Sequence, residues 1–383
     1  MKKARARDLG ISLPGTPGEF NAITDVPGVE VGYSTILLGQ VEDYKGPGSP
    51  FARTGVTAIL PRGKRKSTVF AGLHDLNGNG EMTGTHWVND SGFLHGPVMI
   101  TNTNSVGIVR DTTAKWMLEN RFFEPLYSQG REMDVGFFYP VVGETWDGTM
   151  NDTEGFHVKA EHVLEALESA HGGFIPEGNV GGGTGMLCHG FKGGTGTASR
   201  VLSEEDGGYT VGVLVQANHG RRENLTVSGV PVGKILTGYT PINPAVAPEQ
   251  GTGSIIVVVA TNAPVWPMQL SKMCRRVSIG IGRVGGGYSN SSGDIFIAFS
   301  TANENAYTHT KTTIEILGDE RMDPLYKAVA DATEEAILNA LCAAETMTGK
   351  KGDTYFAMPG EQVAEMVKAA EKLWEAPPPT PTA

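Results

Sequence analysis

A serine placed directly after a glycine, at the head of an apolar run, has a chemical use. In "EQGTGSIIVVVATNAP", Glu249 to Pro264, the segment Gly251, Thr252, Gly253 precedes the apolar residues Ile255 to Ala260, and Ser254 stands at the junction. The Ser254 hydroxyl can attack the Gly253 carbonyl and convert the amide into an ester by N-to-O acyl shift. Hydrolysis of that ester cuts the chain and leaves Ser254 as a new N-terminus. An α-amine has a pKa of about 7.7 to 8.0, so near neutral pH a useful fraction is unprotonated and serves as the base that an internal serine lacks. Taken alone, Gly-Ser before a strand is an ordinary turn, so the chemical reading needs partners.

Three stretches offer them. "GGGYSNSSGDIFIAFSTAN", Gly285 to Asn303, puts Ser292 and Asp294 at a glycine-rich strand entrance, two apart and therefore on one side. "VGVLVQANHG", Val211 to Gly220, ends an apolar strand with Asn218, whose amide can donate to an oxyanion. "FFYPVVGETWDGTMND", Phe137 to Asp152, sets Glu144 near Trp146, a carboxylate and an aromatic face suited to a substrate ammonium. Each also has a plain structural use: Ser292 and Asp294 as turn formers, Asn218 as a strand-end cap, Glu144 as a surface carboxylate.

The elements that must position these residues alternate without a repeat period. Val56 to Leu60, Ser67 to Leu73, Pro97 to Thr103, Tyr209 to Ala217, Ile255 to Ala260 and Ile295 to Thr301 read as strands, apolar or β-branched and bounded by turn residues. Helical spacing appears in Ile108 to Asn120, Glu154 to Ala170, Met268 to Ile281, Pro324 to Thr348 and Gly360 to Leu373. Central strands covered by helices predict a layered α/β sandwich.

Other chemistries lack their signatures. There is no G-x-S-x-G, S-x-x-K, H-E-x-x-H or G-x-x-x-x-G-K-[ST] pattern. "GNVGGGTGMLCHGFKGGTGTASR", Gly178 to Arg200, imitates a phosphate loop, but Lys192 is not followed by Ser or Thr, and close backbone packing is the better reading. The three cysteines, Cys188, Cys274 and Cys342, are far apart and without metal-ligand spacing, so neither a disulfide framework nor a metal site is expected. The net charge of −11 argues against a nucleic-acid partner. No run approaches the roughly 18 apolar residues of a membrane span, and "MKKARARDLGISLPG" lacks the apolar stretch of a secretory signal, so a cytoplasmic protein is expected. The 383 residues include 39 % hydrophobic ones, enough for a large core, and a proline-rich tail at residues 376–383 expected to be disordered.

Taken together and in order, "ITDVPGVEVGYSTI", "GNGEMTGTHWVNDSGFLHGPVMITNTNSVG", "VVGETWDG", "GGGTGM", "VLVQANHG", "GTGSIIVVVATNAP" and "SGDIFIAFSTAN" resemble the self-processing N-terminal-serine aminopeptidases, which include L-aminopeptidase D-amidase/D-esterase and the β-peptidyl aminopeptidases. The resemblance implies a four-layer αββα sandwich, layered like the N-terminal nucleophile hydrolases but with its own connectivity. It implies one domain over residues 1–383, cut into subunits 1–253 and 254–383 that assemble as a homo-oligomer of αβ heterodimers. By the same resemblance Gly253–Ser254 is the scissile pair, Ser254 the nucleophile, Asn218 the oxyanion amide, Ser292 and Asp294 its assisting hydroxyl and acid, and Glu144 the acid that binds the substrate amine. The implied substrates are short peptides, amides and esters with a free amino group, and no metal or organic cofactor is implied. The β-peptidyl members carry Glu where this chain has Asp294, so the resemblance does not extend to a β-peptide preference. Two rival readings remain, an acyltransferase of related self-cleaving chemistry, which would use Thr as nucleophile, and a non-catalytic binding protein, which would stay an intact chain.

Overall fold

The apolar run behind Ser254 has no polar alternation, which requires cover on both faces, and the computed structural model shows that cover. The structure describes residues 3–66, 68–128, 130–133, 135–243 and 253–374. Gly251, Thr252, Ser67 and the tail 376–383, each part of an expectation above, lie outside the described residues.

Two sheets carry the fold. In chain order their strands are β1 (Glu30–Leu38), β2 (Ala52–Lys64), β3 (Thr68–Gly78), β4 (Phe93–His95), β5 (Val98–Asn102), β6 (Val141–Thr145), β7 (Gly194–Val201), β8 (Thr210–Asn218), β9 (Ser254–Thr261) and β10 (Gly293–Ser300). The four-stranded sheet runs β1-β2-β5-β6, and the six-stranded sheet runs β7-β8-β9-β10-β3-β4. Within the larger sheet, β9 pairs antiparallel with β8 and parallel with β10. The long helices are α1 (Val106–Glu119), α2 (Ala160–Glu168), α3 (Pro267–Arg283), α4 (Asp323–Ala343) and α5 (Gly360–Trp374).

The period-2 geometry of β9 explains the layering. Ile256, Val258 and Ala260 pack with Val31, Ile59, Val98 and Ile100 of the smaller sheet. Ile255, Val257 and Val259 point the other way, into a core with Met273 and Val277 of α3 and Val329 and Ala336 of α4. On the outer face of the smaller sheet, Leu60, Met99 and Val142 meet Val109 and Met117 of α1 and Val163 and Leu167 of α2. Three apolar layers between four layers of structure make the αββα sandwich.

Several boundaries move for physical reasons. The expected helix Glu154 to Ala170 starts only at Ala160, because Phe156 takes a positive φ of 47° and Val158 reaches the core from the preceding loop. The expected helix Pro324 to Thr348 ends at Ala343, and Met347–Thr348 pairs instead with Thr354–Tyr355. Strands β1, β4, β6 and β7 were not expected. In β7, "GTGTASRV", small residues replace apolar ones because α4 lies directly on it; a Cβ at Gly196 would stand 2.0 Å from the Ala336 carbonyl oxygen. Among the described residues no helix is long and apolar enough to cross a membrane.

Candidate active site

Strand register alone gathers most of the candidate residues. Ser254, the first residue of β9, lies opposite Asn218, the last of β8, and beside Gly293, the first of β10. The alternation that sends Ile256 into the inter-sheet layer turns Ser254 to the same side. Its Oγ accepts a hydrogen bond from the Gly293 backbone N–H at 3.1 Å, and the residue is 6 % exposed. Gly253 is held by space: a Cβ there would lie 2.0 Å from the Asn218 carbonyl oxygen, so no larger residue fits without moving β8.

Ser292 and Asp294 flank Gly293 and bond to each other, Ser292 Oγ donating to Asp294 Oδ1 at 2.5 Å. The register of β10 against β3 shifts between Asp294 and Ile295, directly beside this pair, and both side chains are buried. The Asp294 carboxylate also accepts from the Ile255 backbone N–H, next to Ser254. Burial raises its pKa to about 6, against the opposing pull of these two donors.

Asn218 is oriented from both ends. Its Oδ1 accepts from the Leu187 N–H at 2.8 Å, and its Nδ2 donates to the Trp146 carbonyl at 2.8 Å, which leaves the second N–H of the amide for another acceptor. Glu144 is the penultimate residue of β6 on the facing sheet, where Gly143 packs against Ile256 of β9. Glu144 is buried and accepts from the Glu81 N–H at 2.9 Å and from the Thr103 hydroxyl; desolvation nevertheless raises its pKa. Gly80 sits between it and the serine strand pair, since a Cβ there would lie 3.1 Å from Glu144 Oε1 and 3.2 Å from Gly293 Cα. Trp146 joins through its carbonyl, while the residue is 40 % exposed.

Two cavities open here. The larger, about 590 Å³, is lined by Gly253, Asn218, Trp146, His219 and Tyr355 among others. The smaller, about 310 Å³, is lined by Ser292, His219 and Tyr288. The larger volume falls in the range of small-molecule sites.

The structure adds residues that the sequence did not single out. Lys192, set aside above as a failed phosphate-loop lysine, is fully buried; its Nζ donates to the carbonyls of Met186 at 2.7 Å and Gly193 at 3.1 Å. It thereby holds the segment whose Leu187 N–H orients Asn218, and burial lowers its pKa to about 7. Asp147, beside Trp146, is buried with its pKa raised to about 6 by desolvation. The glycine-rich segment takes its plain reading: a Cβ at Gly182 would meet Gln216 Oε1 at 2.1 Å, and one at Gly183 the Thr195 N at 2.3 Å. Cys188, His189 and His219 come together, one ligand atom from each lying within 4.8 Å of the others. No sequence spacing announced this group.

The chain is similar to known proteins along nearly its whole length. The sequence pattern of Peptidase family S58 matches residues 21–355. The chain is 48 % identical over 385 aligned positions to beta-peptidyl aminopeptidase BapA of Sphingosinicella microcystinivorans, covering 96 % of this chain and 93 % of that protein. Its fold is similar to that of the L-aminopeptidase D-Ala-esterase/amidase of Ochrobactrum anthropi, described as a prototype of the serine aminopeptidases and a variant of the Ntn hydrolase fold, with a TM-score of 0.86, 46 % identity and 97 % and 100 % of the two chains covered. A Burkholderia beta-aminopeptidase is similar with a TM-score of 0.82 and 44 % identity, over 96 % of this chain and 99 % of that one.

Proposed function

Because the chain belongs to peptidase family S58 and is a serine-type hydrolase of the aminopeptidase kind, we propose that it cuts its own Gly253–Ser254 bond and then removes N-terminal residues from short peptides, amides and esters that carry a free amine. The observation that carries this reading is the placement of Ser254 at the head of a buried strand, opposite Asn218 and beside Gly293, directly after a glycine pressed against β8.

In the first step Ser254 Oγ adds to the Gly253 carbonyl, the C–N bond breaks, and the serine nitrogen takes the proton. Water then hydrolyses the ester, giving a carboxylate on Gly253 and a free amine on Ser254. In turnover the neutral amine is the ultimate base, but it is too close to its own hydroxyl for a linear transfer. Ser292 or a water relays the proton, and Asp294 fixes Ser292 through the 2.5 Å bond. The Gly293 N–H that contacts Oγ at 3.1 Å favours the developing alkoxide. The free N–H of Asn218 stabilises the oxyanion of the substrate carbonyl, and the acyl-enzyme is released by water.

Glu144 provides the anionic end of the site. An ammonium beside it offsets the desolvation that raises its pKa, so a charged substrate amine and an ionised Glu144 favour each other. Trp146, a half-exposed residue, offers its ring to the substrate side chain or amine. The relatives named as acting on β-peptides and on L-amino acid or D-alanine derivatives support an amine-bearing substrate and do not choose between α and β backbones.

The test compares an amino-acid amide with its N-acetylated form. The free amine is expected to be hydrolysed and the acetylated form not, and Glu144→Gln is expected to raise KM far more than it lowers kcat. Equal rates on free and blocked substrates overturn the assignment of Glu144 and the aminopeptidase polarity with it.

A further inference from the structure

Three side chains that the proposed reaction does not use meet beside Asn218. A short hairpin pairs Cys188 with Phe191 and Leu187 with Lys192, so His189 and Gly190 form its two-residue turn, with φ of 49° and 67°. Turns with two positive φ values ordinarily take Asn, Asp or Gly at the first position. The histidine found there is fully buried, its ring edge-on to that of His219 with 5.2 Å between centroids. His219 follows Asn218 directly, and its Nδ1 lies 3.9 Å from Cys188 Sγ.

The hydrogen bonding resembles that of a ligand histidine. His189 Nδ1 lies 3.0 Å from the Arg221 carbonyl oxygen, which can only accept, so the proton sits on Nδ1 and Nε2 presents a lone pair. A backbone carbonyl on the far nitrogen is the usual outer partner of a metal-bound imidazole. The Nε2 atom of His189 is buried without a hydrogen-bond partner, in a residue 0 % exposed. A buried nitrogen left without a partner is otherwise a destabilising feature.

We propose that Cys188, His189 and His219 form a transition-metal site of the zinc class, ligated through Cys188 Sγ, His189 Nε2 and His219 Nδ1. One thiolate and two imidazoles suit a borderline-soft ion, and three protein ligands leave a fourth position for water. Metal–ligand lengths of about 2.3 Å to sulfur and 2.0 to 2.1 Å to nitrogen in a tetrahedron separate sulfur from nitrogen by roughly 3.6 Å. For the Cys188–His219 pair the observed 3.9 Å needs a closure of only a few tenths of an ångström, and the other separations, all within 4.8 Å, close further as His189 draws in. Binding forms one metal–sulfur and two metal–nitrogen bonds and releases the thiol proton to solvent, with no change of oxidation state. Since Leu187 of the same hairpin holds Asn218 Oδ1, the ion clips the hairpin to the end of β8 and steadies that amide.

The test uses the full chain, stripped with a chelator and titrated with Co²⁺. One equivalent is expected to produce a saturable thiolate-to-cobalt charge-transfer band, displaced by Zn²⁺. Cys188→Ala is expected to abolish the band and to weaken Zn²⁺ binding at least about 100-fold, the upper end of what loss of an outer partner does. His189→Asn, which suits the turn, is expected to weaken Zn²⁺ binding as well and keeps the test valid should Cys188→Ala misfold. Absence of the band in the folded wild-type chain, its persistence in Cys188→Ala, or unchanged affinity in His189→Asn overturns the proposal.

Discussion

Asn218→Ala separates the two carbonyls on which the site is proposed to act. In the uncut chain the amide bonds Leu187 and Trp146, both lining the larger cavity together with Asn218. Truncation removes the oxyanion donor and frees one N–H and one carbonyl. Loss of a single preorganised donor costs about 10²- to 10³-fold in turnover, or roughly 3 to 4 kcal/mol of transition-state stabilisation. The orphaned backbone groups cost about 1 to 3 kcal/mol each if dry, and water from the cavity reduces that. The Gly253 carbonyl attacked in self-cleavage is held by the uncut chain and need not use this amide. The variant is therefore expected to mature at a near-normal rate and to hydrolyse substrate ~10²- to 10³-fold more slowly, with KM little changed. Subunit formation on gels and amide hydrolysis measured in parallel decide it. Equal loss of both activities would show one oxyanion hole serving both steps, and loss of neither would reduce Asn218 to a strand-end cap.

Asp294 gives a pH signature. Its ionised form is the one that accepts from Ser292, so two groups shape the acid side of the pH–rate profile. Turnover rises as the Ser254 amine loses its proton at about 7.7 to 8.0. Below about 6 the slope steepens from one proton to two as Asp294 protonates, and a one-proton slope continuing below pH 6 refutes the role. The same raised pKa means the folded chain holds this proton more tightly than the unfolded one. Its contribution to stability is therefore full below the ordinary carboxylate range and lost as pH rises through about 6. The melting temperature of the wild type relative to Asp294→Asn should fall between pH 4 and pH 7, and a rise contradicts the sign. Gly253→Ala places a methyl 2.0 Å from the Asn218 carbonyl oxygen, so self-cleavage should slow severely; a normal time course on gels would show that space at 253 is not limiting.

The sequence carried the parts of the site that lie at strand ends. Ser254 and Asn218 each end a run too apolar to be anything but a buried strand, and Asp294 follows a glycine-rich entrance, so their roles as edge residues were legible. Their registry was not, because pairing of residue 218 with 254 and 254 with 293 depends on long-range contacts. Strand β7 was hidden because contact with α4 selects glycine, alanine, serine and threonine over β-branched apolar residues. Lys192 carries no local sign that it is fully buried, and its two hydrogen bonds to backbone carbonyls are visible only once the Met186 segment is in place. Cys188 and His189 stand far from His219 in the chain, and a hairpin turn with a left-handed histidine brings them together.

Intact mass with N-terminal sequencing, after incubation at neutral pH, tests the central claim most directly. The wild-type chain is expected to yield two fragments, one ending at Gly253 and one beginning "SIIVVVATNAP". Ser254→Ala is expected to remain one folded, inactive chain, because the change removes a single oxygen whose partner is the Gly293 N–H. A wild-type chain that stays whole while hydrolysing amides, or a Ser254→Ala chain that still cleaves at the same bond, contradicts the account.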